Sequence, residues 1–433
     1  MKRTLSLLLI FVAAPVCWLA AESATAQSPT VLTFAAFMRE VETSNLDYAT
    51  QRYNVSIAQA QLAAAKLFLP NPQLQFGYSA DITPGRARVE RESTITSGGF
   101  VQTIPLGGKR GSRIEIARHS LLAASATLDD FWRNLRSTAA SAFIDACIKQ
   151  SIAERMRLSS ASFDQVATMT AERLKAGDVG DVDATQARVD ALQFRSAYLS
   201  AKSDADNAVI ALSQLAGPAW AGRTIQPKAD LDRPVRRYDL GELMATALEK
   251  RPDVIAARES RDAAASSVRL AKGNRIPDIG VGLTYTQTGA STNTVAPYEK
   301  EDALGASLSF ELPVFTTYRH QLEVARYSER QADRQLDAAM LRAQIDVRQA
   351  FASYEAAVGQ LAQYRDKGAL ADAETVLKAR VFSYEHGDTG LLDVLQAQRD
   401  LNDVYTNYFA ALGGYAVARV NLEQAAGIWD VEF

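Results

Sequence analysis

The chain has 433 residues, a formal net charge of −3 and 22% charged residues of mixed sign. A balance this close to neutral excludes a nucleic-acid surface, which needs clustered positive charge. Two cysteines in the whole chain exclude a scaffold held by disulfides.

Residues 1–26 read as a secretory signal peptide. Lys2 and Arg3 precede an apolar run from Leu5 to Ala14, and Ala24-Thr25-Ala26 forms a small-x-small cleavage site, so the mature chain is expected to begin at Gln27. Cys17 follows Val16, whereas a lipid-attachment site places a small residue there, which argues against lipidation. Cys147 is then the only cysteine of an exported chain, and stability must come from packing or oligomerisation. After the leader no apolar run reaches the ~18 residues of a transmembrane helix, so insertion in a membrane would have to be by strands.

Residues 33–66, rich in Ala, Gln, Arg and Glu, predict helix. Two stretches follow, 72–83 and 95–104, whose Gln, Phe, Tyr, Thr, Val and Ser suit strands joined by the polar loop Thr83-Pro84-Gly85-Arg86. Each is about ten residues long, the length with which a tilted strand crosses a bilayer. At Pro105-Leu106-Gly107-Gly108-Lys109-Arg110 the two glycines allow a sharp bend from strand into helix, with a basic cluster beside the inner leaflet surface. From Ser112 to about Lys175 there is neither proline nor glycine, and Leu121, Leu128, Leu135 and Ala142 recur every seven residues. That predicts a helix of roughly 100 Å carrying a coiled-coil-like stripe. Gly177-Asp178-Val179-Gly180 ends it, residues 181–215 predict a returning helix of about 52 Å, and Pro218, Pro227 and Pro234 then break the chain.

The order now repeats. Residues 239–272 predict helix, 278–288 and 303–312 predict strands around Gly289-Ala290-Ser291-Thr292-Asn293, and 318–385 predict a second long helix containing Gly359 and Gly368. Gly387-Asp388-Thr389-Gly390 follows, and residues 387–400 match 177–190 at seven of fourteen positions, where chance gives about one. Pro72 and Pro277, Pro105 and Pro313, and the segments 212–217 and 422–427 repeat at nearly the same offset. The chain therefore reads as a first unit (27–217), a proline-rich equatorial linker (218–237), a second unit (238–427) and a short tail (428–433). The expected fold is mainly α with a small β part, a duplicated unit of helix, two strands and long helix. Four strands cannot close a barrel, and an open sheet in lipid leaves unpaired edges. Three chains would supply a 12-stranded outer-membrane β-barrel, continued by the long helices as a tube.

This layout, with its Gly-Asp-x-Gly turns, resembles the outer-membrane factor family, the TolC-like exit ducts of tripartite efflux and secretion systems, over essentially the whole mature chain. The resemblance implies a homotrimer in outer-membrane lipid with a periplasmic α-helical barrel, working with a periplasmic adaptor (membrane fusion) protein and an inner-membrane RND-type pump, and without a cofactor. Pro105, Gly107, Gly108, Lys109 and Arg110, with Arg113, are similar to the Pro-x-Gly-Gly-Lys-Arg-x-x-Arg signature of the cobalt-zinc-cadmium resistance (CzcC-like) group. That implies efflux of divalent heavy-metal cations. The second copy, Pro313-Val314-Phe315-Thr316-Thr317, lacks the glycines.

The Gly-Asp-x-Gly turns join helix to helix at the end far from the strands. Glycine supplies the left-handed residue that ends a helix, and Asp181, Asp183 and Asp393 favour the next helix N-terminus, which explains the motif as geometry. At a periplasmic mouth the same turns, Gly177, Asp178, Gly180 and Gly387, Asp388, Gly390, are where an adaptor would dock. The resemblance further implies a gate at Asp183, Tyr384 and Asp393, with an acidic residue of the first turn bonded to the tyrosine and a ring of Asp393 carboxylates selecting cations. Thr389 stands where the resemblance places a latching arginine, and Gln396 where it places a second carboxylate, so fewer ionic latches are expected.

Other chemistry is not in view. His119, His320 and His386 have no metal-site spacing with Cys147 or the methionines, and His119 and His320 are expected on helix surfaces. Asp178, Asp181 and Asp183 lack the twelve-residue calcium frame, and residues 107–110 lack the phosphate-loop spacing. No enzyme, metal site or cofactor is expected. A duct for drugs or other small molecules, and a poreless periplasmic coiled-coil scaffold, stay open as alternatives; bilayer-length strands weigh against the second.

Overall fold

The first half of the chain runs β1 (Thr30–Thr33), α1 (Phe34–Ser44), α2 (Leu46–Ala65), β2 (Gln73–Ala80), β3 (Thr94–Ile104), α3 (Lys109–Ala176) and α4 (Asp181–Ala216). A 3-10 turn (Pro218–Trp220) and β4 (Ile225–Lys228) cross to the second half, where the order returns as α5 (Leu240–Lys250), α6 (Pro252–Gly273), β5 (Ile279–Thr288), β6 (Glu301–Phe310), α7 (Arg319–Arg365), α8 (Ala369–Glu385) and α9 (Leu391–Ala426). This computed structural model describes residues 30–80, 94–223, 225–290, 299–313, 315, 317–365 and 367–433. The leader with Cys17, the loop at 83–86 and residues 291–293 lie outside them.

Each expected entry helix is in fact two. Asn45 separates α1 from α2: its side chain accepts from the Tyr48 amide at 2.9 Å, capping α2, and donates to the Leu215 carbonyl at 3.1 Å. Arg251 separates α5 from α6, and Pro252 takes the first helical position. Alanine-rich composition predicts helix on both sides of such a break and is blind to a single capping residue. The long helix of the second half is interrupted at Gly368, left-handed at φ 67°, whereas Gly359 is passed without a break.

The four longer strands form one antiparallel sheet in the order β2-β3-β5-β6. Its register lines up one apolar face: Leu74 pairs with Phe100, Phe100 with Leu283, Val281 with Leu308, and Ile279 with Phe310. Phe76, Tyr78, Tyr285 and Leu304 complete the face, and Phe76 and Leu304 are at least 80% exposed. The opposite face carries Gln73, Gln75, Ser97, Thr284, Thr286, Ser307 and Ser309. Period-two alternation therefore separates a mainly oily side from a mainly wet side, with Ile95 and Val101 on the wet side and Gln102, Gln287 and Asp302 on the oily one. Among the described residues β2 and β6 each keep one unpaired edge. No described helix is long and apolar enough to cross a membrane.

Midway along α3 the remaining pieces close a belt. β1 lies parallel to β4, and Leu32, Phe37, Phe143, Ile144, Leu212, Ile225, Val347, Leu361 and Leu422 share one buried core. The tail 428–433 belongs to this belt: Val431 is buried and the Phe433 ring meets Phe34 edge-on at 5.0 Å. Two buried charges brace the belt, and the first of them also holds the tail. Glu423 is fully buried, accepting from Tyr238 Oη at 2.5 Å, from the Asp430 amide at 2.6 Å and from Arg419 Nε at 3.2 Å. Arg251, 2% exposed, donates to Asp253, to Asp346 and to the Ala425 carbonyl. Cys147 packs into the same core, where burial pushes its thiol up to about 12, an inert packing residue.

Burial works to raise the Asp253 carboxyl, but the bonds and charge of Arg251 prevail and hold it below its ordinary value. A lowered carboxyl contributes stability that is fully present above its unfolded value near 3.9 and is lost as pH falls through the lower folded one. Asp253→Asn is therefore expected to melt well below the parent at pH 7, with the gap shrinking as both are titrated below about pH 4. An equal gap at every pH would show that the carboxylate charge does not matter there.

On α3 the buried positions include Ala126, Arg133, Ala140 and Cys147, again seven apart. They are displaced from the expected stripe, for Leu121, Leu128, Leu135 and Ala142 remain half-exposed. The heptad is real but two-sided: one face packs inside the chain, and of the expected stripe Leu135 and Ala142 lie against the belt core while Leu121 and Leu128 are left partly open.

Candidate functional site

The far end of the molecule is built from two near-identical turns. Gly177 and Gly387 are left-handed at φ 85° and 83°. Gly177 N donates to the Leu174 carbonyl and Asp178 N to Arg173, and likewise Gly387 N to Tyr384 and Asp388 N to Ser383. This is the 5→2 and 6→1 pairing of a Schellman helix end. Gly180 and Gly390 then open α4 and α9 with extended backbones, φ −79° and −80°, and with Asp181, Asp183 and Asp393 in the first turns, where the helix dipole favours a carboxylate. Gly177, Asp178, Gly180, Gly387, Asp388 and Gly390 are all exposed.

Just above the turns the two hairpins of one chain are pinned together by Tyr384. Its ring is buried among Phe163, Val166, Leu391, Val394 and Leu395. Thr170 Oγ1 donates its single hydrogen to the Val166 carbonyl, so at 2.8 Å it can only accept from Tyr384 Oη. Arg173 Nη1 donates to the Tyr384 carbonyl at 2.9 Å, with its guanidinium 5.1 Å over the tyrosine ring. Within the chain, then, Tyr384 engages Thr170 and Arg173, while Asp183 and Asp393 are exposed on the tip. Sequence reasoning did not find Thr170 or Arg173. The repeat carries only a weak signal: Tyr384 and Arg173 stand where the other copy has Leu174 and Ser383, but Lys175 and Glu385, Ala176 and His386, and Val179 and Thr389 differ as well.

Higher up, the exposed Gln186 and Gln396 each bond an aspartate one turn on, Asp190 and Asp400, both at 2.7 Å. Asp190 is fully buried and is answered by Arg399 at 3.2 Å from α9. This second tie between the hairpins runs from one copy to the other.

At the sheet end, Gly107 and Gly108 are left-handed at φ 66° and 69°, which turns β3 into α3. The basic residues that follow are used internally. Lys109 Nζ lies 2.7 Å from Asp278 Oδ1, the oxygen that also accepts from the Leu106 amide, and Arg110 donates to the Lys66 and Leu67 carbonyls at the end of α2. Without such glycines the second corner places a tyrosine, Tyr318, at φ 55°. A Cβ on Gly107 would stand 2.7 Å from the Gly273 carbonyl oxygen. Gly107→Ala is expected to cost about 2 kcal/mol or more, from left-handed strain and this clash, read as a lower melting temperature of the assembled protein.

His119, expected on the surface, is largely covered: its Nδ1 lies 2.7 Å from Glu259 Oε2 on α6. That partner is 140 residues away and no spacing rule could announce it. His320 is exposed, and His386 lies on the tip against Phe382.

A sheet with one mainly oily face, carried on paired helical hairpins far too long for a globular domain, matches the build of an outer-membrane channel subunit. The family model described as outer membrane efflux protein matches residues 38–218 and 243–428, one stretch in each half. The chain belongs to this family, and its place is the outer membrane. It is 28% identical over 404 residues to the cobalt-zinc-cadmium resistance protein CzcC of Cupriavidus metallidurans, covering 92% of this chain and 90% of the relative. Identity to the outer membrane protein TolC of Escherichia coli is 26%, over 60% of this chain and 54% of that one. The fold is that of the Campylobacter jejuni CmeC outer membrane channel, with a TM-score of 0.76 at 15% identity, covering 91% and 85% of the two chains.

Proposed function

We propose that three copies close into a twelve-stranded barrel and a helical tube, which passively conducts divalent heavy-metal cations from an inner-membrane RND-type pump and its periplasmic adaptor to the exterior. The observation that carries the assembly is the sheet: an oily face in register across four strands, with open edges on β2 and β6. Those strands run in opposite directions, so β6 of one copy and β2 of the next pair antiparallel and no edge is left in lipid. The half-open Leu121 and Leu128 supply helix contact between copies below. The cation reading rests on the 28% identity, over nearly the whole chain, to a cobalt-zinc-cadmium resistance protein. The exposed turns, Gly177 to Gly180 and Gly387 to Gly390, receive the adaptor.

The gate lies at the same end. Tyr384 holds the two hairpins of a chain together, and Asp183 and Asp393 meet neighbouring copies around the axis, where three Asp393 carboxylates make a cation-selective ring. The purified protein should run as a trimer by native mass spectrometry and form ion-conducting channels in planar bilayers, with Asp393→Ala reducing cation over anion selectivity. Conductance of Asp393→Ala indistinguishable from the parent sinks the ring; a trimer without conductance favours a poreless scaffold. For cargo, deletion in the native host should sensitise cells to zinc, cobalt or cadmium. Sensitisation to organic drugs alone would favour a small-molecule duct.

A further inference from the structure

We propose that His119, Glu259 and Asp262 form a binding site for a divalent transition-metal ion of the zinc or cobalt kind, clipping α3 to α6 within each subunit just below the sheet. One donor atom from each of the three lies within 4.8 Å of the other two. A tetrahedral ion with bonds of about 2.0–2.2 Å holds its donors roughly 3.5 Å apart. The His119–Glu259 pair, at 2.7 Å, need only open slightly and Asp262 close in. The ligands stand on two long helices and not on a loop. Glu259 and Asp262 are one turn apart on α6 and share a face.

The surroundings settle which ring nitrogen binds. His119 Nε2 lies 3.3 Å from Arg118 Nη2 and 3.7 Å from Glu115 Oε2, a residue one turn earlier on α3. Without metal, Nδ1–H donates to Glu259 and Nε2 accepts from Arg118. On binding, Nδ1 turns to the ion and the ring proton moves to Nε2, where the Glu115 carboxylate accepts it. A carboxylate behind a ligating imidazole is the arrangement that fixes its tautomer and raises its basicity. One nitrogen and two carboxylates suit zinc, cobalt or nickel, whereas calcium and magnesium want six or more oxygens or a largely hydrated shell. Arg261, 3.0 Å from Asp262, and Arg118, 2.6 Å from Glu115, must swing outward, so binding is weaker than in a closed structural zinc site. The site does not depend on the cargo reading, since a duct for organic molecules could carry the same clip.

The test uses the full-length protein in detergent with any affinity tag removed. Titration with cobalt chloride should give the visible absorption of a nitrogen-containing tetrahedral cobalt site, saturating at one ion per subunit. Zinc should displace it and magnesium should not. His119→Gln and Glu259→Gln should each weaken cobalt binding by about ten-fold or more, with helix content and oligomeric state unchanged by circular dichroism and native mass spectrometry. No cobalt band, or identical titrations of parent and both variants, would mean an ordinary hydrogen bond between helices and overturn the site. Should a variant fail to fold, Asp262→Asn, whose residue is the most exposed of the three ligands, carries the same comparison.

Discussion

Glu423→Ala is expected to destabilise the protein by about 3–5 kcal/mol, the range for breaking a buried ion pair from one side. The carboxylate is fully buried and takes three bonds at once, from Arg419, from the Tyr238 hydroxyl and from the Asp430 amide. Its removal leaves Arg419 charged in a low-dielectric core without a carboxylate, held by the Asp430 carbonyl and the Phe433 ring. Burial, reinforced by the same carboxylate, holds the Tyr238 hydroxyl protonated well above its ordinary range, so the tyrosine is a committed donor. Glu423→Gln keeps the volume and loses the charge, and should cost roughly 1–3 kcal/mol. The readout is denaturant unfolding in detergent, with limited proteolysis of residues 428–433 as a local one. A loss for the alanine variant of less than about 1 kcal/mol would show that the pair contributes little.

Tyr384→Ala should loosen the tip by a similar amount, about 3–5 kcal/mol for a large buried aromatic, because the ring fills the space between the two hairpins and carries both the Thr170 bond and the Arg173 stack. In the proposed channel this appears as raised resting conductance in planar bilayers. Tyr384→Phe retains the ring and forfeits one hydrogen bond, worth about 0.5–1.5 kcal/mol, so its conductance should stay near the parent. If the phenylalanine variant opens as far as the alanine variant, the hydroxyl is the latch and ring packing is secondary. If neither opens, the gate is held elsewhere.

Much of this molecule is legible in its sequence because long helices and glycine turns are local events. The absence of glycine and proline from Ser112 to Lys175 is enough to predict α3, and alternation places the strands of the sheet within a residue or two at most ends. What stays hidden depends on distant partners. Asn45 and Arg251 break helices by bonding to residues far along the chain, Leu215 and Ala425. The basic corner reads as a surface patch, yet Lys109 and Arg110 answer Asp278 and the end of α2. At the tip the exposed aspartates are visible from position alone. Thr170 and Arg173 become visible only once Tyr384 is seen lying between the hairpins.

The belt also dictates an order of events in folding. Each hairpin joins neighbours in sequence, α3 with α4 and α8 with α9, so its helices can zip with little loop entropy to overcome. The belt instead sets Phe34 against Phe433 and β1 against β4, contacts spanning about 400 and about 195 residues respectively. Such closures are rewarded only after both halves are in place. The shafts should therefore form early and the girdle last, with α3 already rigid when the segment 428–433 docks. Refolding should show a fast rise in helix signal followed by a slower step reported by Trp220 and Trp429, which pack into the girdle from outside the long shafts.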